Sequence, residues 1–172
     1  MFRYHLTIPF TWRQVSRPLL SNRSLPWRQR PCHMPAGDGW RYTTEKKMIV
    51  ISASNNELEL SGSTAELLEI ATGLSGLKHG QVFRFEADSE ADPSPYAHTL
   101  SALEAYISEG PMRVSVDDGI LYLTGSAEMV VKFSSWFEFD EDAQRGDHNH
   151  HEWFEGNEFI SPESRSLVIS VV

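Results

Sequence analysis

The chain has 172 residues, 40% of them apolar, with one cysteine and a formal net charge of −9. That length supports one domain or two small ones, and a lone cysteine, Cys32, excludes an intrachain disulfide. No apolar run approaches the roughly 18 residues of a membrane span, and a strongly anionic surface repels nucleic acid phosphates.

The charge is unevenly spread. Residues 1–47 carry nine Lys or Arg and two acids, a net +7; the remaining 125 carry six basic and 22 acidic side chains, a net −16. The first segment also holds Pro9, Pro18, Pro26, Pro31 and Pro35, so no helix runs far in it. It lacks the apolar stretch of a secretory signal. The favoured reading is a disordered basic extension, from a misassigned start, because Met48 opens the first strand of a compact acidic domain, 48–172. A genuine arm and an Arg-rich transit segment remain open alternatives.

Met48–Ser54 alternates, with Ile49, Ile51 and Ala53 on one face, and predicts a strand. Asn55-Asn56 is a turn, and Glu57–Ser61 returns with Leu58 and Leu60 on one side. Ser63 and Glu66 form a capping box for a helix whose stripe is Leu67, Ile70, Ala71 and Leu74, stopped at Gly76. Gln81–Ala87 predicts a strand with Phe83 and Phe85 on one face. After the acidic loop Asp88–Ser94, the spacing of Leu100, Leu103 and Ile107 predicts a second helix from Pro95 to Gly110. Met112, Val114 and Val116 begin a strand, Asp118-Gly119 is a strong hairpin signal, and Ile120–Thr124 returns. Ser126 caps a helix carrying Val130, Phe133 and Phe137. Phe139–Asp147 is an acidic connection, His150–Glu155 reads as a strand, and Leu167–Val172 closes the chain as another.

One stretch occurs twice. Ile49–Ser63 aligns without a gap on Met112–Ser126, 63 positions later, with five of fifteen positions identical: Ser52/Ser115, Leu58/Leu121, Leu60/Leu123, Gly62/Gly125 and Ser63/Ser126. Unrelated segments share about one. The expectation is an α+β fold of two ββαβ-type repeats, 48–87 and 111–155, forming mainly antiparallel sheet packed by helices, with one continuous sheet through both copies as one arrangement open to it.

Chemical motifs are sparse. In a strand, His148, His150 and Glu152 share a face, as metal ligands could, but the string matches no His-Glu-x-x-His pattern, and a solvated or partner-facing strip is the favoured reading. Asp140-Glu141-Asp142 and Asp88, Glu90, Asp92 do not fit a twelve-residue calcium loop, which wants Gly sixth and Glu twelfth. Gly62-Ser63 and Gly125-Ser126 at helix starts could bind an anion, but turn-plus-cap is the commoner meaning and Glu66 and Glu128 would repel phosphate. Cys32 lies in the Pro/Arg segment, and no nucleophile–base pair is recognisable, so no enzyme activity and no cofactor are expected. Trp136 and Phe137 lie among Glu138, Asp140, Glu141 and Asp142, either as the end of a core helix or as an interaction surface.

The hairpin, the Leu-x-Leu-x-Gly-Ser string and the following helix (Leu58, Leu60, Gly62, Ser63, Leu67, Leu68, and again Leu121, Leu123, Gly125, Ser126, Val130, Val131) resemble the bacterial immunity proteins of polymorphic toxin systems. They are most similar to the Immunity protein 32 family, here doubled over 48–172. The resemblance implies a cytoplasmic, non-catalytic protein that neutralises a cognate toxin by binding it, and it brings no catalytic residues. An anionic surface suits a basic protein partner, with Trp136, Phe137, Glu138, Asp140, Glu141, Asp142, Asp88, Glu90 and Asp92 as expected partner-binding residues. Neither a nucleic acid nor a membrane partner is expected. The alternatives are a metal-dependent enzyme built on His148, His150, His151 and Glu152, and a structural module that oligomerises through sheet edges.

Overall fold

The computed structural model describes residues 48–55 and 57–172. The basic segment 1–47 and Asn56 of the expected first turn lie outside the described residues. The fold is α+β, two sheets and two helices, with most elements strands. The elements are β1 (Val50–Ala53), β2 (Glu57–Gly62), α1 (Thr64–Ser75), β3 (Val82–Glu86), β4 (His98–Thr99), β5 (Ala102–Ile107), β6 (Arg113–Asp117), β7 (Ile120–Gly125), α2 (Ala127–Ser134), β8 (His148–His151) and β9 (Ser166–Val171). A 3-10 turn, Ser135–Phe137, extends α2.

Local chemistry accounts for the hairpin and helix starts. Asp118 and Gly119 both adopt positive φ, 46° and 74°, which turns β6 tightly into β7. At α1 the Ser63 N–H donates to Glu66 Oε2 at 2.8 Å, while the Ser63 hydroxyl accepts from the Glu66 N–H at 3.4 Å. This reciprocal box satisfies amide groups that have no partner inside the helix. Ser126 caps α2 through the Met129 N–H alone. Gly62 and Gly125 precede the two caps for a steric reason: a Cβ would lie 3.0 Å from Ile49 Cγ2 in the first case and 3.2 Å from the Met112 Cα in the second.

The strands make two sheets, ordered β4-β1-β2-β9-β8 and β3-β5-β7-β6, not one continuous sheet. The reason is the route of the chain. After α1, β3 and β5 join the hairpin β6–β7; after α2, β8 and β9 join the hairpin β1–β2. Five of the seven pairings are antiparallel, and the two parallel ones, β2–β9 and β5–β7, tie hairpin to returning strand. The registers correspond. Leu58 faces Leu167 and Leu60 faces Ile169 in the first sheet, while Leu121 faces Leu103 and Leu123 faces Ala105 in the second.

The expected helix from Pro95 to Gly110 is instead β4 and β5. The spacing of Leu100, Leu103 and Ile107 suits a helix, but Ala102, Leu103 and Ala105 are all buried because β5 runs inside its sheet between β3 and β7. Its inward face carries Leu103 and Ala105 and its outward face Glu104 and Tyr106, and tertiary pairing overrides the helix preference of alanine. The strand expected at His150–Glu155 lies at His148–His151, where it pairs with β9.

Apolar residues from both sheets and both helices form one core, from Ile49 and Leu67 through Leu103 and Phe133 to Ile169. The helices pack on each other. Gly73 of α1 lets the ring of Phe83 on β3 come close, since a Cβ there would sit 2.1 Å from Phe83 Cε2. Among the described residues, no helix is long and apolar enough to cross a membrane.

Candidate functional site

Burial of one face leaves β2, β9 and β8 to present the other. Along β2, Leu58 and Leu60 are buried and Glu57 and Glu59 point away from the core. Along β9, Leu167 and Ile169 are buried while Ser166 and Val168 are half-buried. Along β8, His151 faces inward and His148 and His150 are exposed. These outward side chains line a hollow of about 460 Å³, closed at its edges by Tyr96, by Arg145 and Gly146, by Glu152 and by the C-terminal Val172.

The interior of the hollow is ordered by a few bonds. Ser170 Oγ donates to Glu59 Oε1 at 2.8 Å. The Tyr96 phenol is held above the ordinary tyrosine range by burial first, then by the charge of Glu59 and a hydrogen bond to it. The rings of His148 and His150 meet edge to face with centroids 5.1 Å apart, and His148 Nδ1 lies 2.9 Å from the Gly146 carbonyl oxygen. The charged lining is three carboxylates, Glu57, Glu59 and Glu152, against one guanidinium, Arg145. Among the described residues, Arg145 is in no ion pair.

The second sheet offers an internal comparison. Across the first sheet one row reads Ser52, Glu59, Val168, His150; the row in the same register across the second reads Ser115, Tyr122, Glu104, Arg84. In the second row Arg84 bonds Glu104 Oε1 at 2.5 Å and Glu86 Oε1 at 2.8 Å, and its guanidinium is held more firmly protonated by those bonds. That face pairs its guanidinium with two carboxylates. The first sheet keeps its carboxylates facing solvent.

No family model matches the chain, and no curated protein matches it. The site therefore stands on its own geometry.

The expected site residues separate. His148, His150 and Glu152 do share the hollow, but among the described residues no three His, Cys, Asp or Glu side chains come close enough to hold one ion. His151, grouped with them in the sequence, is 1% exposed, and neither ring nitrogen has a hydrogen-bond partner. It sits among the rings of Phe133, Trp136 and Phe159. Burial pushes its pKa down to about 4, so it is a neutral core residue.

Phe137 is fully buried and packs edge-on against Phe133, centroids 5.8 Å apart. Its place at the end of an apolar stripe makes it core, which corrects its reading as a surface anchor. Trp136 is half-buried against the same core, its carbonyl accepting from Asn149 Nδ2 at 2.8 Å. Glu138, Asp140, Glu141 and Asp142 are exposed, and Asp140 and Asp142 line a separate hollow of about 370 Å³ with Asp147. Asp88, Glu90 and Asp92 line neither hollow. Asp88 and Asp92 each cap their own loop, accepting from the N–H of Glu90 and of Ser94 at 3.0 Å. At α1 the cap is occupied by Glu66, which leaves no room there for an anion.

The sequence reading missed two residues. Trp153 and Phe154 follow Glu152 directly and are 43% and 62% exposed. Their signal was available: two adjacent aromatics between Glu152 and Glu155, which the expected strand His150–Glu155 would point to opposite faces, leaving one outward.

Proposed function

We propose that the chain is a non-catalytic binding protein that neutralises a basic protein partner by direct contact, in the manner of a bacterial immunity protein acting on its cognate toxin. The observation that carries this reading is the outward face of β2, β9 and β8, where three carboxylates surround a hollow and one arginine opposes them. The −16 balance over residues 48–172 steers a cationic protein toward the chain and speeds encounter. The likeness of the hairpin-and-helix string to the Immunity protein 32 family points the same way. In this reading the protein works in the bacterial cytoplasm, where a toxin made by the same cell, or delivered into it, must be blocked.

We further infer that the two halves descend from one hairpin–helix–hairpin unit, doubled in the chain, with the second hairpins exchanged. The matching registers of β2 with β9 and of β7 with β5 support this, together with the fifteen-position repeat.

Co-expression tests the functional reading. The product of the reading frame beside the gene for this chain is produced with and without the chain in bacterial cells. The expected result is restored growth and a stoichiometric complex on gel filtration. Continued toxicity with no complex at low salt would remove the reading.

A further inference from the structure

From the hollow's lining we infer that the face of β2, β9 and β8 is the docking site for the partner and that it receives an arginine side chain, with Trp153 and Phe154 covering the apolar surface beside that arginine. This inference rests on the functional reading above and deepens it by placing the contact.

Charge selects the class of ligand. Glu57, Glu59 and Glu152 outnumber Arg145 in the hollow, so a cation is attracted and an anion repelled. Shape selects within that class. A guanidinium is planar, pairs with carboxylates through two parallel N–H donors, and stacks on flat rings. The hollow supplies carboxylates at its wall, the Tyr96 ring at one edge, and the paired imidazoles of His148 and His150 at the other. A lysine ammonium uses fewer of these features. The volume, about 460 Å³, is in the range of sites that enclose a small group.

The flanking aromatics supply what a charged hollow cannot. Large exposed rings are favoured anchors at protein interfaces, since they bury much area with few rotatable bonds. Trp153 and Phe154 leave the hollow's edge at Glu152. The second sheet lacks this combination, because Arg84, Glu86 and Glu104 already satisfy one another there.

The test is an NMR titration of the full chain, isotope-labelled, with the blocked dipeptide acetyl-Leu-Arg-amide. Its lysine and glutamate counterparts serve as controls. The expected result is shifts at Glu59, His148, His150 and Ser170 and at the Trp153 indole, largest for the arginine form and absent for glutamate. Glu152→Gln and Glu57→Gln each weaken binding by about threefold or more, and Arg145→Ala strengthens it by a similar factor, as expected for loss of an opposing or a competing charge. If the glutamate form shifts these resonances more than the arginine form, the hollow takes an anion and the inference falls. Shifts confined to Asp88–Asp92 or Asp140–Asp142 also overturn it, as does no shift at any concentration. In those two cases a toxin complex that still forms keeps the functional reading while removing this site.

Discussion

The imidazole of His151 meets the ring of Phe133 at 78°, with the centroids 4.3 Å apart and no hydrogen bond to either nitrogen. An imidazolium in that place would be buried without a counter-ion, which is costly. Its pKa is therefore lowered from 6.5 to about 4. Because the folded value is below the unfolded one, the unfolded chain binds the proton more readily between those values. Stability is then lost as pH falls through about 6.5 and continues to fall until about 4, by roughly 3 kcal/mol in all. Urea denaturation at pH 7.5, 6, 5 and 4 checks this, with His151→Phe as the comparison. The wild type should lose stability over that window and the variant should lose much less. Equal losses would place the acid sensitivity elsewhere.

Gly73 and Phe83 give a steric prediction. Alanine is the better helix former by about 1 kcal/mol, so Gly73→Ala would ordinarily stabilise α1. Here the added methyl meets the Phe83 ring, and overpacking of this kind costs about 1–3 kcal/mol. The expected outcome is a net loss of stability in denaturant unfolding, partly recovered in Gly73→Ala/Phe83→Leu. A more stable single variant would show that the ring moves aside freely.

Phe137 and Trp153 should behave in opposite ways. Phe137 is fully buried and Trp153 is 43% exposed. Phe137→Ala is expected to cost about 3–5 kcal/mol of stability, while Trp153→Ala changes stability by less than about 0.5 kcal/mol and weakens the partner complex. Thermal unfolding and an affinity measurement on both variants separate the two roles. A large loss of stability in Trp153→Ala would make it a structural residue and remove it from the docking face.

These contrasts show where the sequence was legible. The hairpins, the α1 capping box and the apolar stripes depend on neighbours within a few positions, and each was readable from residue spacing. Phe137 carried two readings, the end of the stripe of Val130 and Phe133 and a surface anchor, and its burial decides for the first. The strand β5 was misread because its local pattern, alanines and leucines at helical spacing, is overridden by pairing with β3 and β7, which lies outside the reach of a local pattern. The hollow was not legible at all as a unit. It needs Glu57 and Glu59 from β2, Tyr96 before β4, His148 and His150 from β8, and Val168 and Ser170 from β9, and the pairing of β9 with β2 and β8 and of β4 with β1 brings them together. The His148, His150, Glu152 face was seen, but its acidic neighbours on β2 were not.

The most direct measurement is the dissociation constant of the complex with the product of the neighbouring reading frame, taken by calorimetry at 50 mM and 200 mM salt. Docking of a basic protein on the acidic face predicts affinity that falls by about tenfold or more between those salts, chiefly through slower association as the charges are screened. An affinity unchanged by salt, or no complex at 50 mM, would contradict the account.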